Sequence, residues 1–158
     1  VGALLTQAGK TISLAESCTG GLIAERLTEV PGASAYFIEG AVTYSNEAKM
    51  RTLGVRSETL KEFGAVSSQT AEEMAVGMRT RTGTDYALSI SGIAGPEGGS
   101  EEKPVGTVFV GMADAGGVKT IRLTLPGDRY LIRWRSSQAA LDMLRRALLK
   151  GELNPLKS

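Results

Sequence analysis

Thr11-Ile12-Ser13-Leu14-Ala15-Glu16-Ser17-Cys18-Thr19-Gly20-Gly21-Leu22-Ile23 decides how this chain folds. Thr11 to Ala15 alternates apolar and polar residues, as a short strand does. Glu16 to Gly21 breaks that pattern. Leu22, Ile23, Leu27 and Val30 then recur at helical spacing, so a helix over Thr19 to Val30 is predicted, stopped by Pro31-Gly32. A hydroxyl and a thiol thus sit side by side where a strand hands over to a helix. The two glycines permit a tight bend and a close ligand approach. The first N–H groups of a helix lack partners and carry partial positive charge. A nucleophile at this turn is expected to have an anion-stabilising site beside it.

The alternation continues outward in both directions. Val1 to Ala8 reads as a helix capped by Gly9, which implies residues ahead of Val1. Tyr36 to Tyr44 is rich in β-branched and aromatic residues and reads as a second strand. Asn46 or Ser45 caps a short helix over Glu47 to Leu53, closed by Gly54, and Ser57 to Phe63 forms another. A longer helix starts at Ser68 or Thr70, where Thr70 with Glu73 fits a capping box. Asp85 to Ser91 reads as a buried strand. Val105 to Ala113 and Val118 to Leu125 are strands joined through Gly116-Gly117. Arg129 to Leu149 closes the pattern as a helix. The expected architecture is a single α/β domain over residues 1–158, a three-layer α/β/α sandwich with a mixed, mostly parallel sheet of about five strands. Binding loops of such folds gather at the carboxyl ends of the parallel strands.

Composition narrows the function. The 158 residues are 42% apolar with a formal net charge of +1. No long block of like charge suggests a nucleic-acid or membrane partner. No apolar run approaches the roughly 20 residues of a membrane span, and no secretory leader is visible. The chain has one cysteine and no histidine. An internal disulfide is therefore excluded, a Cys/His zinc site is not expected, and a reducing cytoplasm fits. A Ser-His-Asp or Cys-His arrangement within one chain is excluded as well. If Ser17 attacks a substrate, its base is a lysine, a tyrosine, a carboxylate or a metal-bound water.

Each candidate has a plain structural alternative. Ser17 is a nucleophile or a helix cap. Cys18 is a second nucleophile candidate, because a helix N-terminus lowers a thiol pKa, or it is a buried structural cysteine. Thr19 reads as the cap. Tyr44 at a strand end and Lys49 on the next helix are placed to reach one pocket. Lys49 serves as a base only if burial or nearby positive charge lowers its pKa from about 10.4. Ser91 to Pro104 is a glycine-rich loop that matches neither phosphate-binding fingerprint. Its amides, with Lys103, suit a phosphate. Among the arginines after Gly127, Arg129 is the one expected in the crevice, and the others are read as a solvated face.

Seven segments taken together carry a family resemblance. They are Ala15-Glu16-Ser17-Cys18-Thr19-Gly20-Gly21, Val30-Pro31-Gly32-Ala33-Ser34, Val42 to Lys49, Gly64-Ala65-Val66-Ser67, Ser91-Gly92-Ile93-Ala94-Gly95-Pro96, Lys103 to Val108, and Gly127-Asp128-Arg129. In this order they resemble the carboxyl-terminal domain of the CinA competence/damage-inducible proteins, in the stand-alone form that acts as a nicotinamide-nucleotide amidase. The resemblance runs from about Leu4 to Leu149. It implies hydrolysis of nicotinamide mononucleotide to nicotinic acid mononucleotide and ammonia by a bacterial cytoplasmic protein, usually dimeric, without metal or organic cofactor. The family's serine, tyrosine and lysine fall on Ser17, Tyr44 and Lys49. Ser91 stands where the family usually has threonine. Larger relatives add an amino-terminal domain of the molybdopterin-binding type, whose activities are not expected here.

The reading that follows gives Ser17 the attack, Lys49 the proton, with Tyr44 assisting, and Lys103 and Arg129 the phosphate. Backbone amides near Thr19, Gly20 and Gly21, or from Gly98-Gly99, receive the oxyanion. Ser45, Asn46 and Ser91 complete the expected substrate site. Two rivals remain open at this level: a nucleotide-binding module without turnover, and an amidase for a different amide.

Overall fold

Among the described residues, strands and helices alternate up to the second strand, after which three helices, three strands and a closing helix follow. The computed structural model describes residues 1–152. The elements run α1 (Gly2–Ala8), β1 (Ile12–Glu16), α2 (Leu22–Thr28), a 3₁₀ turn (Ala33–Ala35), β2 (Phe37–Val42), α3 (Asn46–Leu53), α4 (Ser57–Phe63), α5 (Ser68–Thr82), β3 (Tyr86–Gly92), β4 (Thr107–Asp114), β5 (Gly117–Thr124) and α6 (Arg129–Glu152). One sheet has the order β2-β1-β3-β4-β5. β1 pairs in parallel with β2 and with β3, while the β3–β4 and β4–β5 pairs are antiparallel. Four strands therefore point the same way and β4 alone is reversed. The sheet is mixed, as the late hairpin at Gly116-Gly117 foretold.

Alternation along each strand sends its side chains to two separate cores. On one face Ile12, Leu14, Leu88, Ile90, Val108 and Val110 pack beneath α1, α2 and α6 through Leu5, Ile23, Leu27, Ile132 and Leu144. On the other face Ala15 and Ala87 meet Leu53, Val55, Leu60, Met74 and Met78 of the α3–α5 layer. The second face carries small residues, so α5 lies close to the sheet. Ser89 Oγ donates to the Ala71 carbonyl at 2.5 Å across that contact. The order β2-β1-β3 makes β1 the point where connections leave in opposite directions. The loops after β1, β2 and β3 open there on one crevice, the position where ligands bind in such sheets.

Two boundaries differ from the sequence reading for identifiable reasons. The α5 helix is capped by Ser67, whose Oγ accepts from the Thr70 amide at 3.2 Å, and no Thr70–Glu73 capping box forms. Glu73 instead pairs with Arg56 and accepts from Thr59 Oγ1 at 2.6 Å, which fastens α4 to α5. The α2 helix starts at Leu22, not Thr19, because Gly20 and Gly21 adopt φ of 62° and 101°. Such left-handed backbone suits glycine and cannot belong to a right-handed helix.

α3 presses on α5 at a glycine. A Cβ built at Gly77 lies 1.8 Å from the Leu53 carbonyl oxygen. Gly77→Ala gains about 1 kcal/mol of helix propensity. It forces two backbones apart, for which overpacking costs of roughly 1–3 kcal/mol are the lower guide. We expect net destabilisation, read as a lowered denaturant midpoint at constant slope. An unchanged or raised midpoint refutes the close α3–α5 contact.

Candidate active site

The local sequence explains how the cleft forms. β1 ends at Glu16 in the middle of the sheet, so the next residue, Ser17, emerges at its carboxyl edge, and the Ser17 amide donates to Ile90 O of β3 at 3.0 Å. After β2, Thr43 and Tyr44 lead into α3, capped by Ser45, whose Oγ accepts from the Ala48 amide. That cap sets the first turn of α3 so that Lys49 points back beneath the β2 end. After β3 come Ser91, Gly92 and Ala94. Ser17, Cys18, Tyr44, Lys49, Ala65, Val66, Ser91, Gly92, Ala94 and Arg129 line a cavity of about 220 Å³.

Lys49 and Ser17 are its chemical centre. Lys49 is 1% exposed, and its Nζ lies 3.0 Å from Ser17 Oγ. The same nitrogen lies 2.8 Å from Thr43 O and 3.4 Å from Tyr44 O. No carboxylate among the described residues lies within ion-pair distance of it. Burial pushes the Lys49 pKa below its ordinary value of 10.5. Burial disfavours the ammonium form and nothing anionic compensates. A neutral amine has two N–H groups and one lone pair. The two carbonyls can accept both hydrogens, which leaves the lone pair for the Ser17 hydroxyl. The arrangement is that of a nucleophile and its base.

Cys18 is not placed to compete. Burial pushes its thiol up to about 12, so it is protonated at neutral pH. The thiol is 7% exposed and sits within the main core cluster.

Several expected site residues land elsewhere. Tyr44 is 61% exposed, and its hydroxyl meets Arg129 Nη2 at 3.3 Å instead of bridging Ser17 and Lys49. Its backbone carbonyl, not its phenol, faces the amine. Thr19 is no helix cap: its hydroxyl donates to Glu16 Oε2 at 2.5 Å. Glu16 is the cap, a buried carboxylate accepting from the amides of Gly21 at 3.1 Å, Ile23 at 3.2 Å and Ala24 at 2.9 Å. The positive end of α2 is thereby spent on Glu16, and the Gly20 amide is committed to Ser17 O at 2.9 Å. Gly20 and Gly21 therefore shape the turn and do not supply oxyanion donors. No described acceptor takes the amide of Cys18, which lines the cleft, so it remains for that role, whereas Thr19 is fully buried and outside the lining.

The glycine loop is also displaced from its expected part. Lys103 Nζ donates to Phe63 O at 2.8 Å, closing the carboxyl end of α4, and does not line the cleft. Gly98 and Gly99 do not line it either. Ser45 serves as a cap and Asn46 is exposed on the first turn of α3, both outside the lining. Ser91 does line the cleft, its hydroxyl donating to Ala65 O at 2.7 Å. Arg129 enters as expected, with Nη1 donating to Gly95 O at 2.8 Å. Sequence reasoning missed Glu16 and Arg133. Arg133 donates to Cys18 O and Thr19 O, so it is not part of a solvated face. Its spacing of four from Arg129, on one side of a helix, was the available signal.

Comparison with known proteins identifies relatives of this chain. The family model of the CinA C-terminal domain matches residues 1–148. A CinA-like protein of Kosmotoga olearia is 56% identical over 146 residues, covering 92% of this chain and 35% of its own length. A CinA-like protein of Citrifermentans bemidjiense is 53% identical over 152 residues, covering 96% and 37%. The chain thus spans about a third of the length of the curated relatives it matches. The crystal structure of the competence/damage inducible protein CihA from Agrobacterium tumefaciens superposes with a TM-score of 0.88 at 48% identity, covering 91% of this chain and 88% of that one.

Burying an amine without a counter-ion opposes folding. Replacing Lys49 by methionine, similar in length and apolar, is expected to raise Tm by about 2–4 °C, the shift per kcal/mol for a domain of this size. Linkage gives the sign for pH. The folded-state pKa of Lys49 lies below its unfolded value, so the unfolded chain binds the extra proton between the two. Stability of the parent therefore rises with pH across that window, up to about 10.5, and the Lys49→Met protein loses this rise. Melting curves across alkaline pH check both. A methionine variant that melts lower with an unchanged pH dependence contradicts a desolvated amine.

Proposed function

The chain belongs to the CinA C-terminal domain family, and on that footing we propose that it is a serine amidase acting on nicotinamide mononucleotide. The observation that carries the reading is the 3.0 Å contact between a buried, counter-ion-free lysine and a serine hydroxyl in a chain with no histidine.

The Ser17 hydroxyl gives its proton to the Lys49 lone pair as Oγ bonds to the carboxamide carbon. The carbonyl oxygen becomes an oxyanion, received by the Cys18 amide at the cleft. One donor of this kind is worth about 3 kcal/mol in the barrier. The Lys49 ammonium returns its proton to the amide nitrogen, the C–N bond breaks, and ammonia leaves. Water then attacks the acyl-enzyme with Lys49 again as base. The Oγ–C bond breaks, releasing the carboxylate and restoring the Ser17 hydroxyl. The Tyr44 phenol has no proton to carry in this scheme, because the amine touches the nucleophile directly.

The cleft volume supports a division of the substrate. At about 220 Å³ it is smaller than the roughly 300 Å³ at which ligand sites usually begin. The flat carboxamide ring suits the interior, and the ribose phosphate lies across the rim. Arg129 stands at that rim, and its guanidinium suits bidentate phosphate binding. The pyridinium charge also disfavours a protonated Lys49 beside it.

Ammonia release from nicotinamide mononucleotide tests the reading. Ser17→Ala and Lys49→Met should each lose at least about 10³-fold in kcat while staying folded, because the first removes the nucleophile and the second removes the base. Arg129→Ala should raise KM more than it lowers kcat. The parent kcat/KM should rise with pH and level off below 10.5, as the neutral amine becomes the resident form. Full release by Ser17→Ala would sink the serine assignment. Calorimetric binding without release would turn the reading to a nucleotide-binding module.

A further inference from the structure

Tyr44 touches both ends of the cleft. Its backbone carbonyl lies 3.4 Å from Lys49 Nζ, and its phenol oxygen lies 3.3 Å from Arg129 Nη2. Tyr44 is 61% exposed, Arg129 is exposed too, and both line the cleft. Their contact therefore stands on the solvent side of the cavity, where a ligand can reach both groups.

Two hydrogens are left over in this contact. A guanidinium has no acceptor, so Arg129 donates and the phenol accepts. The phenol's own hydrogen then has no acceptor among the described residues. Arg129 Nη1 donates to Gly95 O at 2.8 Å, which holds the guanidinium at the rim, and Nη2 keeps a second hydrogen. Two free donors thus sit on atoms 3.3 Å apart, and one anionic oxygen set across the pair can accept from both. At 3.3 Å the phenol contact is longer than an ordinary N–H···O bond, so the pair has room to adjust to that oxygen. No carboxylate lines the cleft to compete for the donors. Its two charged lining residues, Lys49 and Arg129, are both basic.

We propose that Tyr44 is a specificity-determining residue whose hydroxyl donates, beside the Arg129 guanidinium, to the phosphate of a nucleotide substrate. The phenol has a binding role in place of proton transfer. The proposal rests on the amidase reading for the other end of the substrate, where Ser17 meets the carboxamide. One residue then serves both ends: the Tyr44 carbonyl faces the base, and its phenol faces the phosphate. A ligand without the phosphate leaves both donors to water and gains nothing at the rim.

The test compares ribose 5-phosphate with ribose, titrated by calorimetry into the parent, Tyr44→Phe and Arg129→Ala. Phenylalanine keeps the exposed ring and drops only the hydroxyl, and melting curves alongside confirm that the variants fold. The parent should bind ribose 5-phosphate more tightly than ribose. Tyr44→Phe should weaken the phosphate ligand about 10-fold, the low end for a hydrogen bond to a charged group because the rim is open to water. Arg129→Ala should weaken it at least as much. On nicotinamide mononucleotide Tyr44→Phe should raise KM by a similar factor and lower kcat less, with a smaller loss on nicotinamide riboside, which lacks the phosphate. Equal affinities of the parent and Tyr44→Phe for ribose 5-phosphate, or a parent that does not bind it, overturn the proposal. A kcat that falls as far on the riboside as on the nucleotide overturns it as well, since a proton-transfer role does not depend on the phosphate. A parent that binds ribose 5-phosphate through Tyr44 but releases no ammonia from nicotinamide mononucleotide overturns the amidase reading and leaves the phosphate site standing.

Discussion

An ammonium ion taken out of water costs several kcal/mol unless a counter-ion or good hydrogen bonds replace its hydration. Lys49 has no counter-ion, and its surroundings offer two backbone carbonyls and one hydroxyl. Three oxygens can accept the three hydrogens of an ammonium, so it is burial and not the partners that favours the neutral amine. The rest of the molecule can be read as the means of keeping the amine there. β2 ends so that Thr43 and Tyr44 present their carbonyls. The Ser45 cap fixes the first turn of α3, and Gly77 lets α3 settle on α5 without a gap. Loosening any of these admits water, and water restores the ordinary lysine pKa and removes the base.

The second constraint is the use made of the α2 N-terminus. Helix N-termini attract anions, and a nucleophile beside one suggests that the substrate's oxyanion is the intended guest. Here the guest is Glu16, a residue of the preceding strand, which takes three amides and the Thr19 hydroxyl. The carboxylate fixes the turn permanently and cannot be displaced by a transient negative charge. Under the proposed reaction the α2 N-terminus is therefore not free to hold an oxyanion, because its amides already serve Glu16.

The fold was legible because its signals are periodic. Strand alternation at Thr11 to Ala15, the apolar spacing of Leu22, Ile23 and Leu27, and the Gly116-Gly117 hairpin are repeated patterns, and repetition survives local error. The pairing of Ser17 with Lys49 was legible through the family resemblance, whose serine and lysine fall on these positions. The absence of histidine alone left a lysine, a tyrosine, a carboxylate or a metal-bound water open as the base. The roles of Tyr44, Thr19 and Lys103 were not legible, because they depend on which way one side chain turns. Residue type placed a phenol, a hydroxyl and an ammonium near a crevice. Rotamer and backbone direction sent the phenol to Arg129, the hydroxyl to Glu16 and the ammonium to Phe63 O. Glu16 escaped notice because caps are sought within the helix's own first residues. This one reaches from a strand across a turn built by two left-handed glycines.

Adjacent Ser17 and Cys18 show how narrowly backbone geometry selects chemistry. A thiol is the better intrinsic nucleophile, and the two residues are neighbours in one turn. Ser17 leaves β1 toward the carboxyl edge of the sheet and meets Lys49. Cys18, one residue on, turns into the core, where burial raises its pKa to about 12 and removes the thiolate. A hydroxyl is a poor nucleophile unless a base stands within hydrogen-bond distance, and here one does, at 3.0 Å. On the proposed amidase reading, the position of one buried amine, and not the order of intrinsic reactivities, selects Ser17 over Cys18.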